Sequence, residues 1–414
     1  MQKLMYWMEN SFAPKMDKIN RNVWVLTLKD SILQVLPMIL IGSLVTMVNI
    51  IRNYIPAMPT LSPISGYTMG LISLFIAFLI PFNYMEKAKL SKIRLVSGMA
   101  GVCVFAVVIR MRNLPELDFS YFGAGGMFVA IAIGVYVALI MSFFGKFSFF
   151  KKDSSIPDFV RNWFDSMLPV GLCVIIAWVF VYLLNFDMYN ALVAVFDPIN
   201  AFAQSFGGFV LICFLWVFLY SMGISTWVLT PLTRPVRLAG IAANAAAVAA
   251  GMSATNIMIS EVTHSGWIAV GGMGATLPLV IMMCFSKCKR IKALGLASMT
   301  PSIFNINEPV VFGVIAWNPI MMIPMWLQGI IIPSIVYPAL RFGFAPIPHE
   351  VFDLWYAPFP ISTWIVSQSV NGLILLAIVV AAATLIWFPF YKVYERQQIA
   401  MENKQAQASA LANA

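Results

Sequence analysis

Long apolar runs alternate with short polar or basic breaks along nearly the whole chain. The clearest runs are Ser31–Ile51, Tyr67–Tyr84, Leu95–Ile109, Gly123–Phe144, Leu168–Asn185, Gly207–Ile224, Trp267–Phe285, Pro319–Tyr337 and Val370–Phe390. They are continuous rather than alternating, which selects helices over the strands of a barrel. A membrane-spanning helix needs about 20 apolar residues, so the third and seventh runs are marginal or extend into their flanks. The alanine-rich stretch Leu238–Ile257 has a thin apolar face. It reads either as a tenth span or as a helix packed within the protein or lying along it.

Charge narrows the topology. Basic clusters fall at Lys87–Arg94, Lys146–Lys152, Arg234–Arg237, Lys287–Lys292 and Lys392–Arg396, between apolar runs. Cytoplasmic loops carry such an excess of Lys and Arg. If every cluster is cytoplasmic, ten crossings satisfy the order, with Leu238–Ile257 crossing and both termini inside. Arg110 and Arg112 then fall outside, beside Glu116 and Asp118.

Composition agrees with hydrocarbon as the solvent. Hydrophobic residues make up 61% of the 414 and charged residues only 10%, against about 25% charged in ordinary soluble domains. The expected fold is therefore an all-α polytopic membrane protein of about ten transmembrane helices. The net charge of +9 is accounted for by the loop clusters and does not indicate a nucleic acid partner. The five cysteines have no paired spacing and read as small residues without a disulfide framework. The stretch Met1–Asp30 is amphipathic and lacks a signal-peptide cleavage pattern, so it is expected to stay in the cytoplasm.

One apolar stretch is broken in a way no continuous span would be. Between Lys292 and Pro319 lie Pro301, Asn305, Asn307, Glu308, Pro309 and Gly313. Proline, glycine and polar groups at membrane depth imply non-helical backbone that is buried in protein or lines a cavity. A re-entrant hairpin carrying Asn-Glu-Pro, entering and leaving on the cytoplasmic side, fits this composition and the charge order. Glu308 is the sharpest residue, because an ionisable group at membrane depth is costly unless partnered. A carboxylate accepts from paired sugar hydroxyls, and the amides of Asn305 and Asn307 donate and accept, which suits a polyhydroxylated neutral ligand. A buried carboxylate that caps a hairpin helix or pairs with a base is the structural alternative.

The segment TPSIFNINEPVVFG, residues 300–313, resembles the signature of the membrane IIC components of the lactose, cellobiose and diacetylchitobiose family of bacterial sugar phosphotransferase systems. WIAVGGMGATLPLVI from Trp267, LQVLPMILIGSLV near the start and WFPFYKVYERQ near the end are similar to that family in the same order. The resemblance covers essentially the whole chain. It implies that Asn-Glu-Pro lies in a re-entrant hairpin whose Glu308 contacts sugar, and that the chain moves a β-linked disaccharide or β-glucoside inward. Phosphorylation would then be carried out by separate IIB and IIA proteins. It implies further a homodimer in the bacterial inner membrane, with residues 1–145 as the scaffold and dimerisation half and 146–165 as a cytoplasmic linker. Residues 166–391 would be the sugar-binding transport part and 392–414 a cytoplasmic tail. Where the family commonly carries Gly-Ile-His, this chain has Gly223-Ile224-Ser225, which passes the histidine's place to Ser225, Thr226 or another group. Val314-Ile315-Ala316-Trp317 replaces a proline-containing run, and Trp317 either stacks on a pyranose ring or fills space.

The remaining candidates carry less. Asn244, within AANAAAV, is expected to face the interior of the bundle, where it bonds either sugar or another helix. His264 reads as a helix-end or loop histidine. His349, Glu350 and Asp353 lie in the proline-rich loop Arg341–Trp364, expected to be outside and solvated. Trp216, Trp227, Trp267 and Trp364 are either stackers or interface residues. No nucleotide-type Gly-rich loop and no metal spacing occurs, so no catalytic residue, metal or cofactor is assigned. Two alternatives belong to other classes: a proton-coupled secondary sugar transporter that uses Glu308 as its relay, and a transport-deficient sugar receptor of the same fold.

Overall fold

The structure is a computed structural model, and it describes residue 11, residues 13–52, 55, 57, 59–111, 117–148 and 157–412. Residues 149–156 of the expected linker, the first ten residues, Arg112 and Glu116 lie outside the described residues. Among those described, regular structure is helical throughout, with no strand. The helices are α1 (Ala13–Asn20), α2 (Val23–Gln34), α3 (Leu36–Arg52), α4 (Ser62–Tyr67), α5 (Ile72–Lys87), α6 (Arg94–Val108), α7 (Met127–Phe144), α8 (Asp158–Trp178) and α9 (Met188–Gln204). There follow α10 (Phe206–Ser221), α11 (Thr230–Ala249), α12 (Ser260–Thr263), α13 (Leu277–Cys284), α14 (Lys289–Ile303), α15 (Glu308–Val310), α16 (Pro319–Arg341), α17 (Ile361–Ser367) and α18 (Val370–Ala412). Among the described residues, seven stretches are long and apolar enough to cross a membrane, or eight if α9 and α10, bent by 80° at their junction, form one span.

The chain forms two compact units. One comprises Lys18–Ala201 and Thr230–Ala242; the other comprises Met1–Asp17, Phe202–Leu229 and Ala243–Ala414. The first is built by apolar stripes at helical spacing. Ile72, Ile76 and Ile80 of α5 are fully buried against α6 and α7, together with Val104, Phe105, Ala130 and Val137. Cys173 and Ala177 of α8 join the same core. Close approach of these helices depends on small residues: a Cβ on Gly101 would lie 2.0 Å from the Ala77 carbonyl oxygen. Polar side chains also bond across this unit, as where Asn83 donates to Ser31 at 2.9 Å and to Gln34 at 3.0 Å.

In the second unit the backbone departs from the apolar pattern. Trp267–Phe285, expected as a span, is not a continuous helix. Residues 264–276 form an irregular loop with positive φ at Gly271, Gly272, Gly274 and Ala275, and only Leu277–Cys284 is helical. Glycine populates that region of backbone space without penalty, so four positive-φ residues in five positions override an apolar run. The helix α13 doubles back onto α14 through a basic tip at Lys287–Arg290, and Gly295 lets the two pack closely, its absent Cβ falling 2.7 Å from the Cys284 nitrogen. The cluster Arg234–Arg237 is not a loop either: both arginines are buried inside α11, at 4% exposure. The alanine-rich helix accordingly spans Thr230–Ala249 and ends before Ile257.

Candidate functional site

The expected break in the backbone between Lys292 and Pro319 is present. α14 runs through Pro301 to Ile303, the chain turns at 304–307, and Glu308 opens a three-residue helix that passes into a π-helical turn, Val311–Ile315. This second limb lies back along α14, since a Cβ on Gly313 would fall 2.9 Å from Leu294 Cδ2. Asn305 and Trp317 bracket the limb with φ of +62° and +58°. Asparagine tolerates the left-handed region; a tryptophan there is held by its surroundings. The Trp317 N–H donates to the Ser221 carbonyl at 3.1 Å, which ties the end of the limb to the end of α10.

Two asparagines hold the turn. Asn305 accepts from the Gly271 N–H at 3.0 Å and donates to the carbonyls of Trp355 and Ala357 at 2.8 and 2.9 Å. Asn307 donates to the Met273 carbonyl at 2.9 Å and to the Thr276 hydroxyl at 3.0 Å. Thr276 in turn donates to the Gly271 carbonyl at 2.6 Å. Gly272 is required for this arrangement, because its Cβ would lie 2.3 Å from Asn307 Cγ. Both side chains are buried and their amides are committed to the protein's own backbone and the Thr276 hydroxyl, which leaves them to position the hairpin.

The proline-rich loop after Arg341 belongs to the same framework and corrects the expectation of a solvated segment. Asp353 is 2% exposed, and Ala345, Phe352 and Leu354 are buried around it; His349 is half-buried and Glu350 exposed. Proline-rich, irregular backbone leaves carbonyls without helical partners, and here side chains supply the donors. Asn244 donates to the Pro348 and Asn256 carbonyls at 2.9 Å and accepts from the N–H groups of Thr255 and Asn256. It is fully buried and binds two loops, where sugar or another helix was expected. Glu261 accepts from the Phe352 N–H at 2.9 Å, and Ser265 donates to the Phe352 carbonyl at 3.1 Å. Trp267 is a core residue, its indole donating to the Gly372 carbonyl at 2.8 Å. The His264 ring lies 2.8 Å from the Thr263 hydroxyl and edge-on to Trp216 at 5.5 Å.

Unlike the buried side chains that hold these loops, Glu308 is exposed. Tyr220 of α10 lies beside the Glu308 carboxylate, close enough for the two side chains to interact electrostatically. Phe312 meets Tyr220 edge-on at 5.9 Å and is 56% exposed. Gly223 brings the end of α10 against the Trp317 indole: a Cβ there would lie 3.5 Å from Nε1 and 4.0 Å from Phe312 Cε1. Ser225, two residues on, is exposed and caps a single turn, Thr226–Leu229, its hydroxyl accepting from the Trp227 N–H at 3.4 Å. The structure thus groups Glu308 with Tyr220, Phe312 and Trp317. Tyr220 and Phe312 were not singled out from the sequence. The available signal was a lone phenol in the apolar run Gly207–Ile224, one turn before that run breaks.

Comparison with known proteins now decides the family. The model of the family described as "Phosphotransferase system, EIIC" matches residues 29–329. The chain belongs to this family. It is a sugar-transport permease component of a phosphotransferase system and a multi-pass membrane protein. The EIIC chain is 26% identical to the lactose-specific EIICB component of Staphylococcus epidermidis over 434 residues, covering 98% of this chain and 73% of the relative. It is 24% identical over 449 residues to the cellobiose-specific EIIC component of Geobacillus stearothermophilus, covering 100% and 99%. The crystal structure of the transporter ChbC, the IIC component of the N,N'-diacetylchitobiose-specific phosphotransferase system, matches with a TM-score of 0.85 at 24% identity, over 96% of this chain and 99% of that one. The likeness to ChbC establishes the fold.

Proposed function

We propose that this EIIC chain receives a β-linked disaccharide or β-glucoside at Glu308 and passes it inward for phosphorylation by a IIB protein supplied by IIA. The single observation that carries the reading is an exposed carboxylate set among Tyr220, Phe312 and Trp317 on a hairpin held by two asparagines. Carboxylate oxygens accept from paired hydroxyls, and aromatic faces stack on the apolar face of a pyranose. Asn305 and Asn307 act by positioning Glu308, Ser225 borders the sugar, and Asn244 secures the loops beside it. The relatives named for lactose and cellobiose support the sugar class, and the name EIICB supports a IIB module as partner. The reading places both termini in the cytoplasm of a bacterial cell and has the Asn-Glu-Pro hairpin re-enter from that side; Trp267–Phe285, helical only over Leu277–Cys284, is not counted as a crossing. Residues 1–145 are the scaffold and dimerisation half, 146–165 the linker, 166–391 the sugar-binding part and 392–414 a tail. Cysteine labelling tests the topology: position 290 should react from the cytoplasm and position 350 from outside, and an external label at 290 refutes it.

Glu308→Gln tests the site. An amide in place of the carboxylate loses the charge that strengthens each hydrogen bond, a loss of about 1 to 1.5 kcal/mol per bond. Cellobiose and lactose binding to the purified variant should weaken at least about tenfold, with unchanged thermal stability. Equal binding by parent and variant would refute the role. Uptake of free sugar that collapses with the proton gradient, and no sugar phosphate in the presence of IIA and IIB, would replace group translocation by a proton-coupled mechanism.

A further inference from the structure

The unit Lys18–Ala201 carries a second concave site that has no part in sugar recognition. A cavity of about 330 Å³ opens between the α5–α6 turn, the end of α7 and the start of α8, lined by Lys89, Lys92, Lys146, Arg161 and one acid, Asp165. Two of its cations, Lys89 and Lys92, come from the short turn between α5 and α6, and Lys146 stands close after α7. Lys89 sits at φ +61°, a backbone position more usual for glycine or asparagine, its N–H donating to the Glu86 carbonyl at 3.2 Å. Lys92 lies in the single turn Ser91–Ile93, and Lys146 follows the last residue of α7 by two. The floor is kept open by Gly145, whose Cβ would lie 2.5 Å from Ile93 Cδ1.

What surrounds the cavity identifies its ligand. It lies where the candidate spans Ser62–Lys87, Ser91–Val108, Ala124–Phe144 and Trp163–Leu183 begin or end, which is headgroup depth in a bilayer. Alongside it, Phe143, Phe147, Trp163 and Met167 are each more than 60% exposed. Large exposed apolar side chains next to clustered cations match an amphiphile that presents a phosphate and trails acyl chains. Soluble anions would need no such rim. We propose that this cavity binds the phosphodiester headgroup of an anionic phospholipid, with Lys89, Lys92 and Lys146 on the phosphate. Basic pockets between spanning helices favour such lipids over zwitterionic ones, through charge that a choline headgroup cancels.

The test compares lipids on the full chain in detergent, counting retained lipid by native mass spectrometry. The parent should retain phosphatidylglycerol over phosphatidylcholine by about tenfold or more. Lys89→Gln/Lys92→Gln/Lys146→Gln should remove that preference, and the triple Lys→Arg variant should keep it, since charge is preserved. A parent without preference overturns the proposal and needs no variant. So does a glutamine variant that keeps the preference, and so does displacement of the lipid by millimolar inorganic phosphate, which would make the cavity a site for the free anion.

Discussion

The two compact units are held together by different physics. In Lys18–Ala201, helix meets helix through interdigitated apolar side chains, with Ile72, Ile76, Ile80 and Phe105 at full burial and Gly101 letting one backbone approach another. In the unit containing Glu308, the backbone around the site is not helical, and its shape is set by side chains that bond to the backbone: Asn244, Asn305, Asn307, Thr363 and Trp387 each satisfy carbonyls of irregular loops. The first arrangement tolerates approximate shape. The second requires particular donors, because an unsatisfied buried carbonyl costs a full desolvation penalty. The hairpin that presents the Glu308 carboxylate is built in the second way.

Paired conservative substitutions sharpen this contrast. Asn307→Asp keeps the shape but removes both donations and sets a carboxylate against the Met273 carbonyl, so unfolding in detergent should become easier by about 2 to 4 kcal/mol. Sugar binding should fall with it, as the hairpin loses its register. Ile80→Val removes one methylene from a core where Gly134 already packs against Ile80, and should cost only about 0.5 to 1.5 kcal/mol with sugar binding unchanged. Thermal melts and sugar titrations on both variants decide the matter. Equal costs would mean that the asparagine staple is no more specific than aliphatic packing.

The same contrast explains which parts of the protein were legible in the sequence. Helical spans follow from continuous apolar runs, and the first five runs all correspond to helices, with ends displaced by a few residues to either side. Trp267–Phe285 fails because hydropathy carries no information on backbone sign, and the glycines at 271, 272 and 274 matter more than the apolar residues between them. Glu308 stood out, since a carboxylate inside an apolar segment needs a reason to be there. Asn305 and Asn307 stood out for the same polarity, but their chemistry reads identically whether an amide faces a ligand or a carbonyl. Only the partners, separated by about 31 to 52 positions in sequence, tell the two apart. Tyr220 and Phe312 were hidden because an aromatic residue in an apolar run is ordinarily core or lipid-facing.

The smallest expected effect on stability lies at the rim of the site. Ser225 is exposed and follows the Gly223 turn that borders Trp317, so a larger side chain there has space to occupy. An imidazole reaches farther than a hydroxyl and offers both a donor and an acceptor nitrogen. Ser225→His should therefore tighten sugar binding by about three- to tenfold, the worth of one net hydrogen bond, while the melting temperature in detergent stays within error of the parent. Overpacking would have the opposite signature, a loss of about 1 to 3 kcal/mol of stability even without sugar. Measuring affinity and melting on the same preparations separates the two. A stable variant with unchanged affinity would place position 225 away from the sugar, confining recognition to Glu308 and its three aromatic neighbours.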